Sequence, residues 1–437
     1  MRQKMADPTA GQRAHDLAKR LWPINRSLTG AGVVETLEIL AETLPGLTLH
    51  QVPSGTQAFD WTVPKEWHVT QAYLEGPDGR RICDFADNNL HLVGYSQPVD
   101  AVMSLDDLQP HLHSLPDQPD AIPYVTSYYG PNWGFCLTDT VRRNLLDGDY
   151  RVVIEAKHFD GNLTYADLLI QGDSDEEILF STYICHPSMA NNELSGPIVA
   201  EALAQEIMSR ETTHYSYRFV FVPETLGALT YLSTHVDRMK SKIKAGFVLT
   251  CVGDERTWSY MPSRHGKTLA DRAVLQACSE LDITPDPYTF LQRGSDERQY
   301  CAPGIDLPVC SLMRSKYGTY PEYHTSLDDL TLVTPTGLEH TITAYGRVID
   351  ILEANVFVKT QMLGEPQLGK RGLYSNLSKV GSAAGAMTMR NLIAYADGTQ
   401  DLIGLAAFLD CDVGELSVLT ELLKSHDVLA TKRQQID

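Results

Sequence analysis

From about residue 165 onward, short apolar runs alternate with amphipathic helical stretches, and no other feature constrains the fold as much. YADLLIQG, EILFSTYIC, YRFVFVPET, KAGFVLTCV and LPVCSLM read as strands. SGPIVAEALAQEIMSR, LGALTYLSTHVDRM, KTLADRAVLQACSEL and TPTGLEHTITAYGRVIDILEANV read as helices between or after them. Parallel strands need a long crossover, usually a helix, so the pattern predicts an α/β sandwich around a largely parallel sheet. Runs such as FVFV, apolar at every position, suit strands covered on both faces.

The rest of the chain has a different texture. Residues 11–45 predict two helices around the turn NRSLTGAG. Residues from about 48 to 165 carry short alternating runs, such as HVTQAYLEG and YRVVIEAK, between Pro, Asp and Gly clusters, which is β-rich material with many turns. After about residue 370, the loop-like GKRGLYSNLSKVGSAAGAM precedes three short helices. The last two meet at Cys411 and Asp412 and read as a helix-turn-helix.

Charge narrows the partners. The formal net charge is −20, which opposes a nucleic-acid partner held by phosphate neutralisation and also an anionic membrane surface. The final helix carries Glu415 and Glu421 against Lys424, and residues 370–437 hold seven Lys/Arg against eight Asp/Glu, so the tail predicts a packing or protein-contact module rather than a DNA reader. The acidic helix-turn-helix and the β-rich region offer surfaces for a homo-oligomer. There is no run of about 18 apolar residues and no apolar segment within MRQKMADPTAGQRAHDLAKRLW, so neither a spanning helix nor a secretory signal is expected. The eight cysteines form no C-x-x-C and several sit in apolar runs, which fits free buried thiols and a cytoplasmic protein.

In open α/β sheets, sites form beyond the carboxyl ends of strands. Four such ends carry the chemistry: His186 after EILFSTYIC, Glu224 after RFVFVP, Asp254 after AGFVLTCVG, and a loop with Arg314, Glu322 and His324 after LPVCSLM. Imidazole and carboxylate with an open position form the donor set of catalytic zinc. Singly, each residue has a blander reading as a hydrogen-bonded His, a cap or a turn. Their convergence from four strand ends points to a metal site.

STYICHPSMANNELSGP, FVPETLGALTYL, LTCVGDERTWSYMPSR and YHTSLDDL resemble the aminopeptidase-like proteins of polysaccharide and secondary-metabolite gene clusters. The resemblance extends to TSYYGPNWGFCL in the β-rich stretch and to GEPQLGKRGLY at the start of the tail. It implies a zinc-aminopeptidase-like, mostly parallel core (residues 1–55 with 165–365), an inserted β-rich domain (56–164) and a winged-helix-like domain (366–437). It further implies His186, Asp254 and His324 as metal ligands and Glu224 as general base. Asn192 falls where the aminopeptidases place a carboxylate that bridges two zincs, and Thr225 where they have a second, metal-binding Glu. Both positions are neutral here, so one zinc is expected rather than two, with Glu193 as a substitute ligand. Asn192, Arg314 and Tyr323 are then left to substrate.

Two readings stay open at this point. One is a zinc-dependent hydrolase of an amide or peptide bond in a small aminoacyl or peptidyl metabolite or sugar conjugate. Glu224 then takes a proton from water, and Arg314 or Tyr323 steadies the oxyanion. The other is an altered pseudo-peptidase that binds a ligand or a protein. Elsewhere, Asp296 and Glu297 in SDER read as solvated loop charge before pocket lining, Tyr128, Tyr129 and Trp133 as core packing or a lid, and His111 and His113 as a helix end or loop rather than a metal pair.

Overall fold

The computed structural model describes residues 9–128, 130–373 and 383–435. The chain divides into one unit that runs to Gly266 and resumes over Pro285–Ile342, and a second made of Lys267–Thr284 and Thr343–Asp437.

The first unit opens with α1 (Ala10–Leu21) and α2 (Ala31–Ala41). Thr9 caps α1, its hydroxyl accepting from Gln12 N at 3.2 Å, and α1 stops just before Pro23, which cannot continue the ladder. Eight strands then build one sheet: β1 (Thr48–Pro53), β2 (Asn162–Ile170), β3 (Glu177–Tyr183), β4 (Ser216–Val222), β5 (Ile243–Leu249), β6 (Ser259–Met261), β7 (Asp286–Pro287) and β8 (Val309–Met313). Their order is β1-β2-β4-β3-β5-β8-β6-β7. The central four run parallel, while β1, β2 and β6 pair antiparallel with their inner neighbours, so the sheet is mixed.

Every residue of β3 and β4 is buried, as continuous apolar runs require. Phe180 faces Phe219 on one side and Phe247 on the other, and the three rings pack across the sheet with centroids 5.1 and 5.2 Å apart. The charge within β4, Arg218, is buried but paired with Glu177 at 2.5 Å and Asp167 at 2.7 Å, which offsets its desolvation. Helix α3 (Ser195–Ser209) follows β3 and α4 (Leu226–Lys242) follows β4. Gly196 lets α3 lie against the sheet: a Cβ there would stand 2.2 Å from Thr182 Oγ1 and 2.4 Å from Leu249 O.

Within the β-rich stretch, Glu66–Glu75, Asp149–Phe159 and Val99–Ser104 form a three-stranded antiparallel sheet with Asp149–Phe159 in the middle. Its buried side chains, among them Leu74, Val152 and Ile154, join one apolar cluster with Val220, Val222 and Leu226 of the α/β core. Shared burial of this kind holds the stretch against the carboxyl end of β4.

The second unit contains the helix Leu269–Glu280, the helices Ala383–Tyr395, Leu402–Leu409 and Val413–Ser425, and a small antiparallel sheet ordered Asp397–Asp401, Phe357–Thr360, Leu429–Lys432. Three helices with a three-stranded wing make a winged helix. Asp401 caps the middle helix by accepting from Gly404 N at 3.0 Å. Of the loop expected over GKRGLYSNLSKVGSAAGAM, residues 374–382 lie outside the described residues, and its last five residues instead open the helix Ala383–Tyr395. Among those described, no helix is long and apolar enough to cross a membrane.

Because Gly196 has no room for a methyl group, Gly196→Ala should destabilise the first unit by about 1–3 kcal/mol, the usual cost of overpacking. Urea melts of the variant and the parent measure it.

Candidate functional site

The parallel strands deliver His186, Glu224 and Asp254 just beyond their carboxyl ends, and the loop after β8 delivers His324. Three of these four meet. The rings of His186 and His324 lie 5.5 Å apart between centroids. His186 Nε2 stands 3.6 Å from Glu224 Oε2. All three line one cavity of about 150 Å³, walled by Trp67, Tyr95, Tyr124 and Tyr128 from the β-rich stretch.

Asp254 is the exception. It is fully buried, and both of its oxygens are taken: Oδ1 accepts from Ser315 Oγ and Arg256 N, Oδ2 from Asn191 Nδ2 and Ser315 N, all at 2.9–3.0 Å. It does not line the cavity. Arg314 does not either; its guanidinium lies 4.2 Å over the Trp258 ring. Tyr323 stacks on His324 at 3.9 Å. Asn192 accepts from the Tyr183 hydroxyl at 2.7 Å, while its amide Nδ2 is buried without a partner. A spare donor cannot grip a cation.

Glu193 sits behind His186, not across from it. Its Oε2 is 2.8 Å from His186 Nδ1, and its Oε1 lies 3.5 Å from Arg26 Nε. This is the arrangement in which a carboxylate fixes an imidazole's tautomer and leaves Nε2 facing outward. Cys185 Sγ is 3.5 Å from the same Nδ1. Cys185, His186 and Glu193 form the one close set of three potential ligand atoms among the described residues.

Burial and the nearby His186 push His324 down to about 3, so it is neutral. Neither of its ring nitrogens has a hydrogen-bond partner among the described residues. Burial also opposes a charge on His186, but Cys185, Tyr124 and Glu193 outweigh it and hold its pKa well above the ordinary value. Burial raises the Glu224 carboxyl above its usual range, with His186 and Arg298 opposing.

Several participants were not legible as such. Arg26 comes from an ordinary-looking turn and Tyr124 from the β-rich stretch; Tyr128, read as core packing or a lid, lines the cavity, and Tyr129 lies outside the described residues. Asp296 and Glu297, expected to be solvated, are completely buried. Asp296 Oδ1 accepts from Thr225 N at 2.7 Å, and Glu297 Oε1 accepts from Gly294 N, Ser295 N and Tyr317 OH. The signal available was the short spacing GSDE, which permits a carboxylate to cap its own turn. His111 ends a short 3₁₀ helix and stacks on Trp133 at 3.6 Å, away from any metal role.

Asp328 ties the two His-bearing segments together. Its carboxylate accepts from Asn191 N at 2.6 Å, Asn192 N at 3.0 Å and Tyr320 OH at 2.9 Å, while its backbone oxygen accepts from Ala190 N. Burial raises its pKa to about 6 despite those donors. A carboxyl raised on folding lends stability that is complete below its unfolded pKa near 4 and is lost as pH climbs through about 6. Asp328→Asn should therefore flatten the fall in stability between about pH 4 and 7, as urea melts across that range would show.

Comparison with known proteins places this geometry. Residues 15–355 match a family model described as a domain of unknown function, DUF4910, and residues 355–431 match a winged helix-turn-helix model. A Clostridium acetobutylicum protein, provisionally named a polysaccharide biosynthesis protein with an aminopeptidase-like domain, is 46% identical over 368 residues, covering 83% of each chain. A crystal structure of a provisionally assigned peptidase from the same organism superposes with a TM-score of 0.90 at 40% identity, over 97% of this chain and 96% of that one. The zinc aminopeptidase BSAP of Bacillus subtilis shares the fold at a TM-score of 0.57 and 12% identity, over 79% of this chain and 95% of its own. The chain thus belongs to the DUF4910 family, with an aminopeptidase-like α/β core and a C-terminal winged helix.

Proposed function

We propose that this protein is a metal-dependent hydrolase of an amide bond in a small acyl or peptidyl conjugate, with a single zinc ion held by His186 and His324. The observation that carries the reading is the meeting of two imidazoles and one carboxylate, from three separate strand ends, on one enclosed cavity. The zinc aminopeptidase fold supports it, and the Clostridium relative's name suits a substrate linked to a sugar.

The donors fit one ion better than two. A second cation needs further carboxylates, but Asn192 and Thr225 are neutral and Asp254 is bound up in hydrogen bonds. Glu224 is the one carboxylate lining the cavity. When bound, the ion supplies Lewis acidity and lowers the pKa of water.

The chain's own groups do the rest. Glu224, with its carboxyl raised by burial, accepts the proton of the attacking water and returns it to the leaving nitrogen. Glu193 holds the His186 ring in place, and Arg26 holds Glu193. The Tyr124 hydroxyl, pushed up to about 12 by burial, stays protonated and serves as a donor to the developing oxyanion, the task first assigned to Arg314 or Tyr323. The aromatic wall excludes bulk water and strengthens each of these contacts.

The withdrawal of Asp254 favours a second reading, in which the cavity binds a ligand without turnover. Glu224→Gln separates the two. The hydrolase reading expects zinc content to persist while kcat for a cleaved amide falls about 10²–10⁴-fold. Loss of zinc would make Glu224 a ligand instead, and absence of hydrolysis in the zinc-loaded parent would favour binding alone. Glu193→Gln should weaken zinc affinity about tenfold or more, measured by competition with a chromogenic chelator.

A further inference from the structure

The cavity's charged lining bears on which end of a substrate it holds. An amide hydrolase that trims a free amino end needs a carboxylate to receive the ammonium. One that accepts a free carboxyl end needs a cation. Besides the two imidazoles, the ionised side chains that line this cavity are Glu224, Arg26 and Arg298. Glu224 is committed to the proton transfer. Arg26 is fully buried and has an anion beside it: it donates to His186 O and Leu21 O and lies 3.5 Å from Glu193, with only Nη2 left without a partner.

Arg298 differs from both. Its Nη2 donates to the neutral Thr225 hydroxyl, its Nε is buried without a partner, and no carboxylate among the described residues comes within 4.0 Å of it. Glu224 and Asp296 feel its charge through space without an ion-pair contact. Asp296 Oδ1 is held by Thr225 N, and Glu297 by Gly294 N, Ser295 N and Tyr317 OH. A guanidinium in a cavity of low polarity is costly without an anion. Its planar fork matches a carboxylate in two parallel hydrogen bonds. Position 225, next to the proposed base, completes the contrast, because its hydroxyl offers an ammonium no charge and instead steadies the cation.

We propose that Arg298 forms the substrate-recognition subsite of this cavity and takes a carboxylate close to the scissile amide, so that the substrate is an N-acylated amino acid or a similar acid rather than a free-amine peptide. This rests on the amide-hydrolase reading above for its orientation relative to Glu224, but the binding itself does not depend on turnover. Arg298 acts here by touching substrate, and Thr225 acts through Arg298 as a positioning residue.

Calorimetric titration of the full-length, zinc-loaded protein tests it with four probes: N-acetylglycine, N-acetylglycinamide, glycinamide and inorganic phosphate. The proposal expects N-acetylglycine to bind at least tenfold more tightly than the other three. Arg298→Gln should abolish that preference, Arg298→Lys should restore part of it, and both should melt near the parent temperature. In turnover, Arg298→Gln should raise KM for N-acyl amino acids about 10–100-fold with a smaller change in kcat. Equal binding of the acid and its amide by the parent protein, a measurement that needs no variant, would overturn the subsite. So would tightest binding of glycinamide, and tightest binding of phosphate would assign the cavity to phosphorylated ligands instead. Carboxylate-selective binding with no hydrolysis of any amide would remove the hydrolase reading and leave the subsite standing. Hydrolysis without carboxylate selectivity would do the reverse.

Discussion

The site depends on one buried carboxylate that performs no chemistry. Asp328 accepts from two successive backbone N–H groups where the chain enters α3, through a π-helical turn at Ala190–Leu194. Those donors are orphans at any helix start, and a buried orphan is expensive. By satisfying them from the loop that also carries His324, Asp328 fastens the two imidazole-bearing segments to each other. The same turn aims Glu193 back at His186 Nδ1. Without the clamp, the two rings would sit on loops free to move apart. The cavity is therefore a product of backbone satisfaction as much as of side-chain placement, and π-helical turns are known to gather at functional sites for this reason.

The charges around the cavity form a second layer of constraint. Glu193 is matched by Arg26, Asp296 by the Thr225 amide, and Glu297 by two backbone amides and Tyr317. Each buried acid thus has a donor on one oxygen, while Asp296 Oδ2 and Glu297 Oε2 are buried without one. What is left facing the cavity is a small and unequal set: one carboxylate, one guanidinium that lacks a carboxylate partner, and two imidazoles.

Much of this was legible in the residues. The FVFV run of β4 is apolar at every position, and burial on both faces is the stable place for such a run in water. Strand ends located His186, Glu224 and His324 because the parallel arrangement puts all carboxyl ends on one side. Asp254 obeyed the same rule but was diverted by Asn191 and Ser315, whose donors are visible only once distant segments pack. Asp296 and Glu297 misled for the opposite reason. Acids in a Gly- and Ser-containing loop are normally solvated, and only backbone amides that cap them in place make burial tolerable. Arg298 could not be ranked above its neighbours, since the lack of a carboxylate partner is a property of three dimensions.

Backbone strain makes the functional reading harder to set aside. Ser188, Thr225, Cys251 and His324 all have positive φ, at 45°, 62°, 53° and 57°, and none is a glycine. Thr225 is the most anomalous, because a β-branched residue at φ 62° and ψ −74° lies outside the left-handed helical well. Each such residue costs on the order of 1–3 kcal/mol, and elsewhere a glycine would remove the cost. Here Thr225 and His324 line the cavity, and Ser188 and Cys251 follow shortly after β3 and β5. Thr225 keeps its side chain because the strained backbone turns its N–H onto Asp296 and its hydroxyl onto Arg298 at once. A glycine would satisfy the backbone and lose the second contact. The strained backbone beside Glu224 is what lets this one residue make both contacts.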